Sequence, residues 1–402
     1  MQDLLFLAHR IPFPPNKGDK IRSWNILEYL AGRYRVHVGC FVDDPHDWRY
    51  VDRVRDIAAS AHFLPLDRRR GLVRSLGGLF SGESLTRGYY RDLRMTDWVA
   101  TVAASARLDR VFVYSSSMFQ HAPDSLPPGA RVVVDLVDVD SDKWRQYADK
   151  KRWPASWVYR REARTLLALE RRISAAADAT LLVSEDEAAL FRRLAPASAA
   201  KTFGVPNGVD FGYFDPDLAC EAPFDPTGDN LVFTGAMDYW ANVDAVCWFA
   251  DEIFPRIRAR MPDCRFWIVG ANPSSEVLAL RDRAGIEVTG RVEDVRPFLA
   301  HAAVAVAPLR VARGVQNKVL EAMAMRKPVV ATPEAIEGIS ADAGREVFVE
   351  GEPAAFADRV VGLFDRAAGE TVGAAARRRI VRSYGWAENL RRIETILEGM
   401  AP

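Results

Sequence analysis

The sequence predicts an α/β protein made of two similar doubly wound halves. The opening is the first sign: an apolar run at 4–8, a loop reaching Gly18, a helical stretch at 21–30 and a second apolar run at 36–42. Strand, glycine loop, helix, strand is how a parallel doubly wound sheet begins, and such sheets bind ligands at the carboxyl ends of their strands. The second sign is that the pattern restarts after the turn chemistry of Pro206-Asn207-Gly208. Runs at 231–234, 265–269, 286–289 and 304–307 stop at Gly235, Gly270, Gly290 and Pro308, all on what becomes one edge of a sheet. The third is size: 402 residues suit two or three domains, and a 49% hydrophobic content is ample for their cores. The expected domains are 1–206, 207–383 and a terminal helical piece, 384–402.

Composition narrows the function classes. A formal net charge of zero gives no global attraction to nucleic acid or anionic lipid. Cys40, Cys220, Cys247 and Cys264 show no C-x-x-C spacing and read as small core residues in a reducing compartment, not as metal ligands. No apolar run reaches the roughly 18 residues of a membrane span, and the run at 4–8 meets His9 and Arg10 at once, so it reads as a first strand and not as a signal peptide. The expectation is a protein made and kept in the cytoplasm.

In chain order, the first loop, His9 to Lys20, is rich in proline and then basic, with no G-x-G-x-x-G dinucleotide fingerprint. Residues 67–94 mix basic and apolar side chains, led by Arg68, Arg69 and Arg70, as a surface helix and loop or as a face toward lipid headgroups. Strands at 111–114 and 131–136 follow, the second ending in an acidic stretch that holds Asp138 and Asp140 and points to the site edge of the sheet. Asp138-Val139-Asp140 mimics a D-x-D metal motif, but that motif is very short and belongs with a single α/β half, not two. Residues 143–172 carry ten Lys or Arg, among them Lys150, Lys151 and Arg152, interleaved with Trp144, Trp153, Trp157 and Tyr159. Such a stretch suits a membrane interface or an acceptor, a solvated cationic face, or stacking on single-stranded nucleic acid. No nucleic-acid module accompanies it, so nucleic acid is not an expected partner. Ser184 with Glu187 forms a capping box.

In the second half, Arg313 to Pro328 reads as a glycine turn, a helix and a stop, followed by the apolar run 329–332. Gly314 lets the backbone approach a ligand, and the free N–H groups of the helix start favour an anion such as phosphate. Asn317 and Glu321 share a face, with Lys318 beside Glu321. Amides, an ammonium and a carboxylate within two turns can hold a diphosphate and a sugar hydroxyl together. A buried crossover helix with a solvated Lys and Glu is the plainer alternative. The tail from 384 to 400 is an amphipathic helix whose stripe is Trp386, Leu390, Ile393 and Leu397.

Five stretches carry a family resemblance over nearly the whole chain: HRIPFPPNKGDKIRSWN, DLVDVDSDKWRQYA, VPNGVD, FTGAMDYWANVDA and ARGVQNKVLEAMAMRKPVVAT. The sequence resembles retaining glycosyltransferases of family 4, most closely the sugar transferases of exosortase-associated exopolysaccharide loci. The resemblance implies the GT-B fold, two Rossmann-like domains facing across a cleft, the first binding the acceptor and the second the nucleotide sugar, with the last helix returning to the first. It implies that Glu321 holds the ribose hydroxyls, that Arg291 and Val292 flank the base, and that Gly314, Val315 and Lys318 meet the diphosphate or sugar. Gly235 and Asn317 belong to the same donor site, and Gly18 approaches it from the other domain. Asp138 and Glu321 are the expected catalytic residues. Arg68, Arg69, Arg70, Lys150, Lys151, Arg152 and Trp153 form the expected acceptor or membrane surface. No metal or other cofactor is expected. The partners are a nucleotide sugar, a lipid-linked oligosaccharide acceptor and the inner membrane surface.

Two departures stand out. The wider family often carries E-x7-E, and eight residues before Glu321 this chain has Arg313, which can pair with a phosphate or an acidic acceptor instead. A histidine that many members place at the end of an N-terminal strand falls at or near Asp138. A nucleotide-sugar epimerase, a phosphorylase and a non-catalytic nucleotide-sugar sensor at the membrane are the rival readings. No pyridoxal phosphate lysine is identifiable for the phosphorylase.

Overall fold

The computed structural model describes residues 1–15, 17–149, 151–312 and 315–400, with Phe80 and Ser81 described by their backbone alone. The chain divides into two compact units, Met1–Pro206 with Ala387–Pro402, and Asn207–Trp386. Among the described residues the first unit holds seven strands: β1 (Asp3–Ala8), β2 (Arg35–Val42), β3 (Ser60–Pro65), β4 (Leu108–Tyr114), β5 (Arg131–Val137), β6 (Ala179–Leu182) and β7 (Thr202–Gly204). They pair in parallel in the order β3-β2-β1-β4-β5-β6-β7. The second unit has β8 (Asn230–Thr234), β9 (Arg265–Val269), β10 (Ile286–Gly290), β11 (Val304–Ala307), β12 (Val329–Ala331) and β13 (Phe348–Val349). These are also parallel, in the order β10-β9-β8-β11-β12-β13. The expected α/β class with two doubly wound sheets is what the chain forms.

Strands covered by helices on both faces must be apolar throughout, and β1, β8 and β11 are buried at every position. Three strands escaped the sequence pattern. β3, SAHFLP, is half-buried and edge-like, β7 is three residues long, and β13 is two. The stretch from 240 to 258 is a helix whose middle turn, Phe249–Ile253, widens to π geometry. Residues 67–94 are not one helix but parts of three, Arg68–Ser81, Leu85–Tyr89 and Leu93–Ser105. Gly82, at φ +74°, ends the first of these helices, and a Cβ on Gly71 would lie 2.7 Å from the Tyr89 ring and one on Gly88 3.1 Å from Ser75, so the first two helices pack closely. The terminal helix, Trp386–Leu397, buries Leu390, Ile393 and Leu397. It is tied within the first unit by Tyr29 to Glu394 at 2.6 Å and by Arg110 to Glu398 at 2.6 Å. Cys40 and Cys264 are buried, whereas Cys220 and Cys247 are only half-buried.

Candidate functional site

The carboxyl edge of the second sheet is where its glycines gather. β8 ends at Thr234 and turns at Gly235; β9 ends at Val269 and turns at Gly270. The two turns press together, Gly235 N–H donating to Val269 O at 3.0 Å. A Cβ on Gly270 would fall 1.6 Å from Gly235 O, and one on Gly235 would fall 2.7 Å from Asn242 Nδ2 and 3.3 Å from Lys318 Nζ. Bare backbone thus leaves room that the Lys318 ammonium reaches.

Lys318 comes from the helix Asn317–Ala324, which buries Val319, Leu320, Ala322, Met323 and Ala324 against the core and leaves Asn317, Lys318 and Glu321 partly open. Its N-cap residue, Gln316, makes no side-chain cap bond, so the leading N–H groups are not capped in the usual way. Lys318 Nζ stands 4.5 Å over the Phe233 ring and donates to Asn242 Oδ1 at 2.5 Å, while Asn242 Nδ2 donates to Ala236 O at 2.8 Å. The neighbour of this ammonium is therefore a neutral amide. Burial pulls the Lys318 pKa down to about 7 and pushes the Glu321 carboxyl up to about 7, and each is partly restored by the other's charge. Asn317 Oδ1 accepts from Asn207 Nδ2 at 3.2 Å, which brings the Pro-Asn-Gly turn to the same helix start. Val315 is buried in the core just before it.

The Tyr213 phenol is pushed up to about 12, mainly by burial, with smaller contributions from Asp294 and Glu321. Tyr213 donates to Asp294 at 3.1 Å, and Arg296 lies 4.0 Å over its ring while paired with Asp294 at 2.6 Å. Gly290, at φ +75°, turns the chain after β10 so that Arg291 is exposed and Val292 packs on the core. The structure thus brings together Gly235, Val315, Asn317, Lys318 and Glu321. Arg313 and Gly314 lie outside the described residues. Asn207, Asn242 and the Tyr213, Asp294 and Arg296 trio are additions that sequence reading missed. A polar Asn242 buried in an apolar helix was the available signal.

The remaining expected residues lie in the first unit. Gly18 opens the helix Gly18–Ala31. Asp138 follows β5, accepting from Lys143 Nζ at 2.6 Å, and Asp140 meets the same ammonium at 3.2 Å, so an internal cation already serves this D-x-D. Arg68, Arg69, Arg70, Lys151 and Arg152 are exposed, and Trp153 is 81% accessible. Lys150 lies outside the described residues. No described helix is long and apolar enough to cross a membrane, and no three described His, Cys, Asp or Glu side chains group as metal ligands do.

Comparison with known proteins bears on the family of the second unit and on the fold. Residues 228–366, inside the second unit, match the model of the family described as glycosyl transferases group 1. No curated protein sequence matches significantly. Among solved structures the chain is similar to HepE of Anabaena in complex with UDP and glucose, at 14% identity over 100% of both chains with a TM-score of 0.67. It is similar to sucrose-phosphate synthase from Thermosynechococcus elongatus, at 15% identity over 99% of each chain with a TM-score of 0.70. WaaG, a glycosyltransferase involved in lipopolysaccharide biosynthesis, aligns at 15% identity over 98% of this chain and 100% of its own, with a TM-score of 0.66.

Proposed function

We propose that the chain, a glycosyltransferase of group 1 type with the GT-B fold, moves a sugar from a nucleoside diphosphate sugar to a lipid-linked glycan with retention of configuration, in exopolysaccharide or other cell-surface glycan synthesis. The observation that carries the donor side is the Lys318 ammonium at a helix start, facing glycine turns, whose hydrogen-bond partner among the described residues is the neutral amide of Asn242. A diphosphate would add a countercharge that this amide does not supply. Glu321, once ionised, accepts two ribose hydroxyls, and Arg291 and Val292 flank the base as the family resemblance implies. On this reading Lys318 and the helix N–H groups stabilise the leaving diphosphate, the part a divalent cation plays in other transferases. Arg313 and Gly314 belong to the same stretch. Asp138 orients the acceptor hydroxyl or stabilises developing positive charge on the sugar. Retention rests on the family resemblance and is read from the anomeric protons of the product.

The acceptor side rests on how the first unit's surface is built. In the helix Arg68–Ser81 the small residues Gly71, Ser75 and Gly78 face inward, and Leu72, Val73 and Leu76 face out, Val73 being 69% accessible. Arg161 donates to the Glu83 carbonyl at 3.2 Å and also reaches that of Gly78, so the helix Ala155–Ala176, which carries the exposed Trp157, is bound to the same surface. Exposed aliphatics and indoles together with the exposed Arg68, Arg69, Arg70, Lys151 and Arg152 suit a lipid headgroup region, and this supports the reading that the enzyme works at the inner face of the cytoplasmic membrane.

The test is a thermal-shift panel of UDP, GDP, ADP and dTDP sugars on wild type and Glu321→Ala. A donor raises the wild-type Tm by mass action and raises that of the variant far less. Equal shifts in both would remove Glu321 from the site.

A further inference from the structure

The first unit holds a second cluster, at the point where its strand order reverses. In the order β3-β2-β1-β4-β5 the connections part between β1 and β4, the place at the carboxyl ends where doubly wound sheets bind their ligands. His9 follows β1, Ser115 follows β4, and Asp138 follows β5. Two of these strand ends are strained. Ser115 has φ 82° and Val137 has φ 70°, a region that side-chain-bearing residues avoid and β-branched ones avoid most. Such strain persists where the surroundings over-determine it, and it gathers at functional sites. Here Asp135 fixes both ends, its carbonyl accepting from Ser115 N–H at 2.8 Å and its Oδ1 from Val137 N–H at 3.0 Å. Glu187 accepts from Val139 N–H at 2.8 Å just beyond.

The His9 ring lies parallel to Tyr114, with centroids 5.8 Å apart, and edge-on to Tyr90 at 5.8 Å. Its Nε2 faces Asp19 Oδ2 at 3.4 Å, an oxygen that Arg10 also meets at 3.0 Å. Burial alone would raise the Asp19 pKa, but His9 and the Arg10 charge outweigh it and hold the carboxyl well below its usual range. An ionised carboxylate only accepts, so Nε2 carries the hydrogen that faces Asp19, and in the neutral imidazole form the lone pair is then on Nδ1. Among the described residues that Nδ1 is buried without a partner, and so is Asp138 Oδ1. Tyr114 links them: its ring carries His9, and its hydroxyl is in the field of both Asp19 and Asp138.

We propose that His9 Nδ1, together with Asp138 Oδ1, accepts hydrogen bonds from hydroxyl groups of the acceptor glycan, and that Asp19 is the positioning residue that keeps His9 in the accepting tautomer. This rests on the glycosyltransferase reading and adds His9 and Asp19 to it. Two lone pairs at the end of a sheet match neutral sugar hydroxyls, which arrive with the hydrogens these atoms lack.

The experiment has two arms. Transfer is measured with the donor found by thermal shift and a lipid extract of the source organism as acceptor, for wild type, His9→Ala, His9→Gln and Asp19→Asn. His9→Ala and Asp19→Asn should cut transfer about tenfold or more, as a lost hydrogen bond in a desolvated site does, while His9→Gln, which keeps an accepting oxygen, retains more. The donor-induced Tm shift should stay at the wild-type value in all three. Nitrogen NMR of the full-length wild-type protein should place the His9 proton on Nε2, and Asp19→Asn should move it to Nδ1. A wild-type His9 protonated on Nδ1, or a His9→Ala enzyme that transfers at the wild-type rate, overturns the proposal. Absence of any donor shift in wild type would instead overturn the donor reading and leave the tautomer measurement to decide this one.

Discussion

Lys318 Nζ donates to Asn242 Oδ1 at 2.5 Å, joining the two helices of the second unit that begin beside Gly235. The amide fixes where the ammonium points without neutralising it. Asn242→Asp should therefore weaken nucleoside diphosphate binding by about 10- to 100-fold, because a carboxylate would compete for the charge the diphosphate needs. Calorimetric titration checks this. An unchanged Kd would mean that Lys318 does not meet the phosphates.

The same pair sets a pH signature. Lys318 is lowered from 10.5 to about 7, and Glu321 is raised from 4.5 to about 7. For stability the signs are opposite. From pH 4.5 to 7 the folded state holds the Glu321 proton that the unfolded state has lost, so this contribution falls as pH rises. From pH 7 to 10.5 the unfolded state holds the lysine proton that the folded state lacks, so it climbs again. Their joint contribution is lowest near pH 7. Nucleotide binding reverses both charges' fates: a diphosphate draws a proton onto Lys318, and ribose hydroxyls favour ionised Glu321. Binding should take up a proton at pH 8 and release one at pH 6, as read from calorimetry in buffers of different ionisation enthalpy. The same proton count at both values would contradict it.

Glycines at the sheet edge should differ sharply. Gly270→Ala sets a Cβ against Gly235 O at 1.6 Å, which the turn cannot accommodate, so a loss of roughly 3 kcal/mol is expected in denaturant unfolding of the second unit. Gly290→Ala meets no atom within 4 Å and bears only the strain of φ +75°, about 1 kcal/mol. Similar losses in the two would refute this account of the paired turns.

In the first unit Arg22 and Asp135 are fully buried and bonded at 2.7 Å, and Arg22 also donates to Val205 O at 2.8 Å. Arg22→Met strands a carboxylate and should cost about 3–5 kcal/mol, whereas Arg22→Met with Asp135→Leu should recover much of it. Urea titrations of the three proteins decide the matter.

Surface charge should govern lipid binding. Changing Arg68, Arg69 and Arg70 to Ala removes roughly 1 kcal/mol of attraction each, so partitioning onto anionic vesicles should fall on the order of a hundredfold at low salt. Trp153→Ser with Trp157→Ser should weaken binding in high salt too. Sedimentation equal to wild type in both would leave the patch a merely solvated face.

Two parallel doubly wound sheets were legible along the chain because strands buried on both faces must be apolar from end to end, and because turns that approach a ligand closely need glycine. For the same reason the helix start at Asn317, with Lys318 and Glu321 at their spacing, stood out. β3 did not, because an edge strand half open to water carries no such signature, and β13 was too short to show one. Tertiary structure alone decided that Asn242 holds Lys318, that Gly270 presses on Gly235, and that Asp19 stands against His9. Those pairs are 76, 35 and 10 residues apart in the chain, and which side chains meet depends on how helices and turns pack at a sheet edge, information that no local pattern holds.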